Sequence, residues 1–205
     1  DRSGFVAQTH PDGVVFAESA GDVAETLRLA TRHRVPVVPR GAGTGLAGGS
    51  SARSGEVVLD VSRMNKILRI DPQEQLAVVQ PGVLNAQINA AAAEYGLFYA
   101  PDPASTAICS IGGNIATNAG GMRCAKYGVT RESVLALRVI LADGRELRTG
   151  RETIKGVSGY DLNALMIGSE GTLGVVVEAT LRLRPQPVHT ATVAAFFPDV
   201  TAAAR

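Results

Sequence analysis

Apolar residues along this chain fall into short runs whose spacing changes from one element to the next. Val14 to Ala17 predicts a short strand, and Val23, Leu27 and Ala30 then recur at helical spacing, predicting a helix through His33. Asp22 and Glu25 stand three apart at its start, the spacing of a capping box. The apolar strand Val35 to Val38 follows directly, so the first part reads β-α-β, a unit that favours parallel pairing with a right-handed crossover. Glu56 to Val61, β-branched at Val57, Val58 and Val61, supplies a third strand.

The later pattern differs. Leu76 to Gln80 reads as a strand, and the Pro81-Gly82 turn feeds a helix from Leu84 to Tyr95 with Leu84, Ile88 and Ala91 facing inward. Gly96 ends that helix. Val134 to Leu141, the turn Asp143-Gly144, Glu146 to Thr149 and Val175 to Arg184 follow, and Asp-Gly between apolar runs is a strong hairpin signal. This half is therefore expected to be mainly antiparallel. The fold class is α+β in two lobes, a small β-α-β lobe over residues 1–75 and a mainly antiparallel α/β lobe over 76–187, dividing near residues 70–80.

Between the second and third strands lies VPVVPRGAGTGLAGGS, Val35 to Ser50, a strand that runs into a glycine-rich loop. Glycine reaches φ > 0 and has no Cβ, so such a loop can lay its backbone N–H groups against a pyrophosphate. Gly43, Gly45 and Gly48 form a formal G-x-G-x-x-G, but the Rossmann fingerprint requires those glycines to open a helix. Gly49 to Gly55 carry turn chemistry without apolar periodicity, so Asp60, which could pass for the Rossmann acid, has no helix to place it. A dinucleotide cofactor held without a Rossmann helix is the reading.

Composition narrows the partners. With 205 residues, 45% of them hydrophobic, the chain can bury a substantial core. Twenty Lys+Arg against nineteen Asp+Glu lack the basic excess of a nucleic-acid or anionic-membrane binder. No apolar run is long enough to span a bilayer, and DRSGFVAQTHPDG has no signal-peptide core, so the expected compartment is the cytoplasm, with any membrane association through partner subunits. Cys109 and Cys124 form no C-x-x-C and read as small buried thiols; no metal site is expected.

Three further clusters of small residues lie in the second half: PDPAS (Pro101 to Ser105), IGGNIATNAGG (Ile111 to Gly121) and GSEGTLGVV (Gly168 to Val176). Each removes side-chain bulk and offers short polar donors, which suits close approach to a flat ligand with polar edges, although any one alone could be a tight turn. Asn114 and Asn118 are four apart, so one helical turn would present both amides on one face.

PRGAGTGLAGG, PDPAS, IGGNIATNAGGMRCAKYG, LADGRELRTG, GYDL and GSEGTLGVVVEATLRL, in this order and spacing, resemble the FAD-binding domain of the vanillyl-alcohol oxidase/p-cresol methylhydroxylase flavoprotein superfamily, in particular its glycolate oxidase D subunit, D-lactate dehydrogenase and D-2-hydroxyglutarate dehydrogenase branch. The likeness extends from about Pro11 to Pro187. It implies FAD extended between two lobes. It also implies that Pro39, Arg40, Gly41, Ala42, Gly43, Thr44 and Gly45 form the pyrophosphate loop, with backbone N–H groups from Arg40 to Thr44. By the same resemblance Pro101, Asp102 and Ser105, with Gly112, Gly113, Asn114, Thr117 and Asn118, line the flavin and its ribityl-phosphate arm, and Gly120 and Gly121 continue that wall. Glu170, Gly171, Gly174, Val175 and Val176 pass close to the cofactor through backbone atoms, Glu170 having a loop-capping carboxylate as its structural alternative.

Some members of the superfamily attach FAD through a histidine at the position Thr44 occupies, and threonine cannot form that bond, so non-covalent FAD is expected. The implied reaction is hydride transfer from a small 2-hydroxy acid to flavin N5 while a base takes the hydroxyl proton. His10, His33 and His189 all lie outside the cofactor clusters, so no catalytic residue is assigned in this chain. In relatives the base belongs to a cap domain, and residues 188–205 resemble its first strand and helix. Weak FAD retention and self-association through residues such as Phe196 and Phe197 are expected, with the electron acceptor left open. A non-catalytic flavin-binding subunit is the alternative from another class.

Overall fold

The computed structural model describes residues 4, 7–153 and 155–204. In chain order, β1 (Gly13–Phe16), α1 (Ala20–His33), β2 (Val37–Arg40) and β3 (Val57–Asp60) build a parallel three-stranded sheet, order β1-β3-β2. The helix starts at Ser19, whose hydroxyl accepts from the Asp22 N–H at 3.2 Å while the Asp22 carboxylate accepts from the Ser19 N–H at 2.9 Å. The capping box is thus Ser19 with Asp22 rather than Asp22 with Glu25, because a short hydroxyl at the N-cap reaches the amide of the third helical residue. Glu25 pairs with Arg28 instead. The Glu18 amide, then the Ser19 hydroxyl, hold the Asp22 carboxyl below its ordinary range.

At the other end of α1 the chain turns through Arg34 at φ 56°, and the Val35 N–H donates to Ala30 O at 2.9 Å. Val35 is thereby spent on the helix end, which moves β2 two residues on from the expected Val35 to Val38. The strand then carries Pro39 and Arg40 straight into the glycine-rich loop. Proline is tolerated there because β2 is an edge strand. No helix or strand forms between Arg40 and Val57, so the Rossmann arrangement is absent.

The larger sheet is antiparallel. β4 (Ile67–Asp71) and β5 (Leu76–Val79) pair with each other, followed by α2 (Asn85–Ala93), β6 (Leu97–Phe98), α3 (Ile111–Thr117) and α4 (Cys124–Tyr127). Then come β7 (Val134–Ile140), β8 (Glu146–Gly150), α5 (Leu162–Met166), β9 (Val175–Arg182), β10 (Arg184–Pro185) and α6 (Val200–Ala204). The five-stranded order is β4-β5-β9-β7-β8, with the expected β7-β8 hairpin turning at Asp143-Gly144. β4 has no clean alternation, since a bulge lies between Ile67 and Arg69 and Leu68 faces solvent, which hides it from a period-two reading. The change of sheet falls between Asp60 and Ile67, so β4, within residues 1–75, belongs to the second sheet.

α2 begins one residue later than expected and buries Asn85, Ile88 and Ala92, a face rotated from Leu84, Ile88 and Ala91. The Asn85 amide sets that rotation by donating to Pro101 O at 3.0 Å. The main core packs Val79, Ile88, Tyr99, Ile111, Ile115, Leu137 and Leu181. A second cluster joins the two sheets, with Leu59, Val61 and Met64 against Ile140, Val175 and Val177. Complete burial of a side chain such as Leu59 stabilises the fold by about 1.5–3 kcal/mol. Beyond β10, the strand expected after residue 188 does not form, as residues 188–199 have no neighbouring strand to complete a hydrogen-bond ladder. The helix expected there is α6.

Candidate functional site

A cleft of about 700 Å³ opens where the glycine-rich loop, the residues before and along α3, and the segment leading into β9 meet. Its size lies within the range of about 300–1,000 Å³ usual for small-molecule and cofactor sites. Pro39 to Gly45 all line it. Gly41 backs against α3 so closely that a Cβ would collide with the Ser110 hydroxyl. The Ala42 N–H already donates to Ser110 Oγ at 3.1 Å, so this amide, expected among the cofactor donors, is committed within the chain. The amides of Gly43, Thr44 and Gly45 donate to no group of the chain among the described residues.

From PDPAS, Ser105 lines the cleft and Pro101 and Asp102 do not. The Pro101 carbonyl accepts from Asn85, and Asp102 accepts from the Arg123 N–H at 2.9 Å and pairs with the Arg123 guanidinium at 3.7 Å, so both hold the turn together. Pro103 and Ala104 take their place in the wall.

Gly112, Gly113, Asn114 and Thr117 on α3 face the cleft. Asn114 is buried, its amide donating to Cys109 Sγ at 3.3 Å. Asn118 leaves the wall because the helix stops one residue earlier. At φ 47° it caps the C-terminus, and its Oδ1 accepts from the Arg131 N–H at 3.0 Å. Gly120 lines the cleft; Gly121 packs against the Asp102 carbonyl outside it.

Glu170, Gly171, Gly174, Val175 and Val176 complete the wall. Glu170 adopts φ 53°, unusual for a residue with a side chain, and its N–H donates to Ala116 O at 2.9 Å, tying this turn to α3. Its carboxylate lies toward the glycine-rich loop, 3.2 Å from where a Cβ on Gly49 would stand.

Val61, Pro81, Val139 and Met166 also line the cleft and carry no local signal, because only the packing of distant strands and helices brings them there; Leu46 comes with the glycine-rich loop itself. Arg40 and Glu170 are the ionisable side chains of the lining. His10, His33 and His189 are exposed and outside it. Among the described residues no cluster of His, Cys, Asp and Glu is arranged to hold a metal ion, and no helix is long and apolar enough to cross a membrane.

Three backbone N–H groups without acceptors, at the mouth of a cleft whose walls are stripped of side-chain bulk, fit an extended ligand that carries an anionic group and a flat apolar body.

Known proteins agree with that chemistry. The chain is 46% identical over 198 residues to glycolate oxidase subunit GlcD of Bacillus subtilis, covering 97% of this chain and 42% of that protein. It is 43% identical over 189 residues to D-2-hydroxyglutarate dehydrogenase of Stutzerimonas stutzeri, covering 92% and 41%. The chain thus spans about two fifths of the length of these curated relatives. Among solved structures, alkyldihydroxyacetonephosphate synthase superposes with a TM-score of 0.74 at 28% identity over 86% of this chain and 34% of that one. The fold of 6-hydroxy-D-nicotine oxidase from Arthrobacter nicotinovorans is similar, with a TM-score of 0.75 at 24% identity over 87% and 37%. Residues 11–150, which contain the glycine-rich loop and α3, match the FAD-binding domain family, and the chain belongs to that family.

Proposed function

We propose that the cleft holds FAD without a covalent link, and that this chain is the flavin-binding part of an oxidoreductase acting on a small 2-hydroxy acid of the glycolate, D-lactate or D-2-hydroxyglutarate class. The observation that carries the reading is the set of unpartnered amides at Gly43, Thr44 and Gly45, opening into a cleft shared with α3 and the Ser169–Gly171 turn. These amides would hold the pyrophosphate, as backbone donors of glycine-rich loops do. Gly112 and Gly113 allow the ligand close to the α3 backbone, and Val61, Val139 and Met166 exclude water from the apolar side. Bound FAD supplies an acceptor for the hydride from the substrate α-carbon.

The substrate hydroxyl also needs a base within hydrogen-bond reach. Arg40 is a cation and Glu170 belongs to the loop side of the cleft, so we assign the base to a part of the parent protein outside these 205 residues. The greater length of the relatives supports that assignment. Self-association of the isolated chain through the exposed Phe196 and half-exposed Phe197 belongs to the same reading.

Titration of the purified chain with FAD and with NAD, followed by thermal unfolding, tests the binding step. FAD should raise the midpoint, by about 2.7 kcal/mol of stability at a hundredfold excess over Kd, and NAD should not. Turnover of 2-hydroxy acids by the longer parent protein tests the activity. The designation of the B. subtilis relative as a subunit favours one second reading, a non-catalytic flavin-binding subunit. FAD binding without turnover by the parent protein supports that reading and rejects the first.

A further inference from the structure

Arg40 is the last residue of β2 and the first support of the loop that follows. Its Nη1 reaches forward to donate to the Ser50 carbonyl at 3.2 Å, closing the glycine-rich segment at its base. Between these two anchor points the guanidinium lies under Gly43. A Cβ at Gly43 would stand 2.8 Å from Arg40 Cζ and nearer still to Nη2, and Gly43 itself holds φ +65°. The backbone angle favours glycine at this position, and a methyl group there would have to displace the guanidinium beneath it. No carboxylate pairs with Arg40 among the described residues, although its side chain is half-buried in the cleft lining.

We infer that Arg40 is a positioning residue that braces the loop from inside, so that the amides of Gly43, Thr44 and Gly45 face the cleft before a ligand arrives. The inference rests on the proposed FAD site and concerns how its pyrophosphate end is preorganised. A loop this rich in glycine has many conformations open to it, and every one excluded in advance is one that binding need not exclude. Arginine suits the role because its guanidinium is a planar fork, so Nη1 holds Ser50 O while Nη2 and Cζ fill the space under Gly43. A lysine keeps the charge but is a compact ammonium on a flexible stem and cannot do both.

Charge attraction and bracing make different predictions, and Arg40→Lys separates them. Flavin-fluorescence titration of the whole chain with FAD should give a Kd weaker by about tenfold or more for both Arg40→Lys and Arg40→Met, with little change in unfolding midpoint. Hydrogen exchange of the ligand-free chain should show the Ala42 N–H, which is bonded to Ser110 Oγ, exchanging faster in both variants while β2 and β3 keep their protection. Gly43→Ala should be less damaging in the Arg40→Met background than in the parent sequence, since the side chain beneath position 43 is then free to yield. Arg40→Lys that binds FAD like the parent, with unchanged exchange at the Ala42 N–H, overturns the brace and leaves only a charge effect. If the parent chain fails to bind FAD at all, the functional proposal fails, whereas the exchange measurement still decides whether Arg40 orders the loop.

Discussion

The Ser110 hydroxyl accepts a hydrogen bond from the Ala42 N–H at 3.1 Å, joining the glycine-rich loop to the N-cap of α3 across 68 residues of sequence. Ser110 is buried, and Gly41 packs directly over it. The loop after β2 and the start of α3 therefore meet at one hydroxyl, beside the amides proposed to hold pyrophosphate. Ser110→Ala removes a single hydrogen bond, a loss of about 0.5–1.5 kcal/mol, or roughly two- to thirteenfold in FAD affinity where loop order is needed for binding. Gly41→Ala should be worse, because its methyl group displaces Ser110 and the loop together. Fluorescence titration of the two variants and their double mutant checks this. The double mutant should bind FAD better than Gly41→Ala alone, and the absence of any such relief would refute the contact as the cause.

Among the described residues, no histidine or cysteine stands on the wall of the proposed FAD cleft. Thr44 lines it, whereas Cys109 is buried against Asn114 and Cys124 Sγ accepts from the Gly121 N–H at 2.9 Å, neither cysteine being part of the lining. Acid precipitation of the flavin-loaded chain should leave a colourless pellet and a yellow supernatant. Colour retained in the pellet and lost in a Cys124→Ser variant would identify a linkage.

Arg138 joins β8 to β9. It binds Glu146 through Nε at 3.2 Å and Nη2 at 2.8 Å and Glu178 through Nη1 at 2.9 Å, while Arg148 Nε donates at 2.9 Å to the same Glu146 oxygen as Arg138 Nε. Hydrogen bonding from Arg138, chiefly, and from Arg148 lowers the Glu146 carboxyl from 4.5 to about 2 in the folded state. Between those two pH values the unfolded chain binds more protons than the folded one, so this contribution is complete above about pH 5 and is lost as the pH falls through that window. Glu146 is partly exposed, and solvent screening reduces its effect to about 1 kcal/mol. Urea unfolding at pH 7 should show Glu146→Gln less stable than the parent by that amount, and the difference should shrink steadily toward pH 3. A constant difference would show that the pairing does not depend on the charge of Glu146.

Tyr99 is fully buried in the main core, and its hydroxyl has no hydrogen-bond partner among the described residues. Burial drives its ionisation upward. The Thr130 hydroxyl opposes that shift from nearby but donates to Ala119 O at 2.7 Å. An unpaired buried hydroxyl carries a desolvation cost of about 1–3 kcal/mol, whereas its replacement by an apolar group of the same shape is nearly neutral or stabilising. Tyr99→Phe should therefore unfold at the same urea concentration as the parent or a higher one. A fall of more than about 1 kcal/mol would mean that the hydroxyl has a partner in solution, such as an ordered water.

Much of the site was legible because its signals are local. Pro39 to Gly45, the small residues of α3 and the turn at Glu170–Gly171 all line one cleft, as their chemistry and the family likeness implied. The exceptions share one cause. Pro101, Asp102, Asn118 and Gly121 are small or polar residues of the expected kind, yet each is engaged by a neighbour outside the cleft: Asn85, Arg123, Arg131 and Asp102 respectively. Composition identifies a residue that could face a cleft, but how its neighbours bond to it and pack against it decides where it stands.

The sequence by itself determined the elements that depend on a few adjacent residues. The helix through His33, the Asp143-Gly144 hairpin and a glycine loop that never becomes a helix all follow from backbone preference and periodicity. Tertiary structure decided which of these meet. The pairing of β9 between β5 and β7 brings Val175 against Val61 and Ile140, and Ser110 draws the loop onto α3, so residues with no local signal become one wall. Contacts across such separations depend on sheet pairing and on the shared burial of side chains far apart in the chain, and no short window of sequence contains both partners.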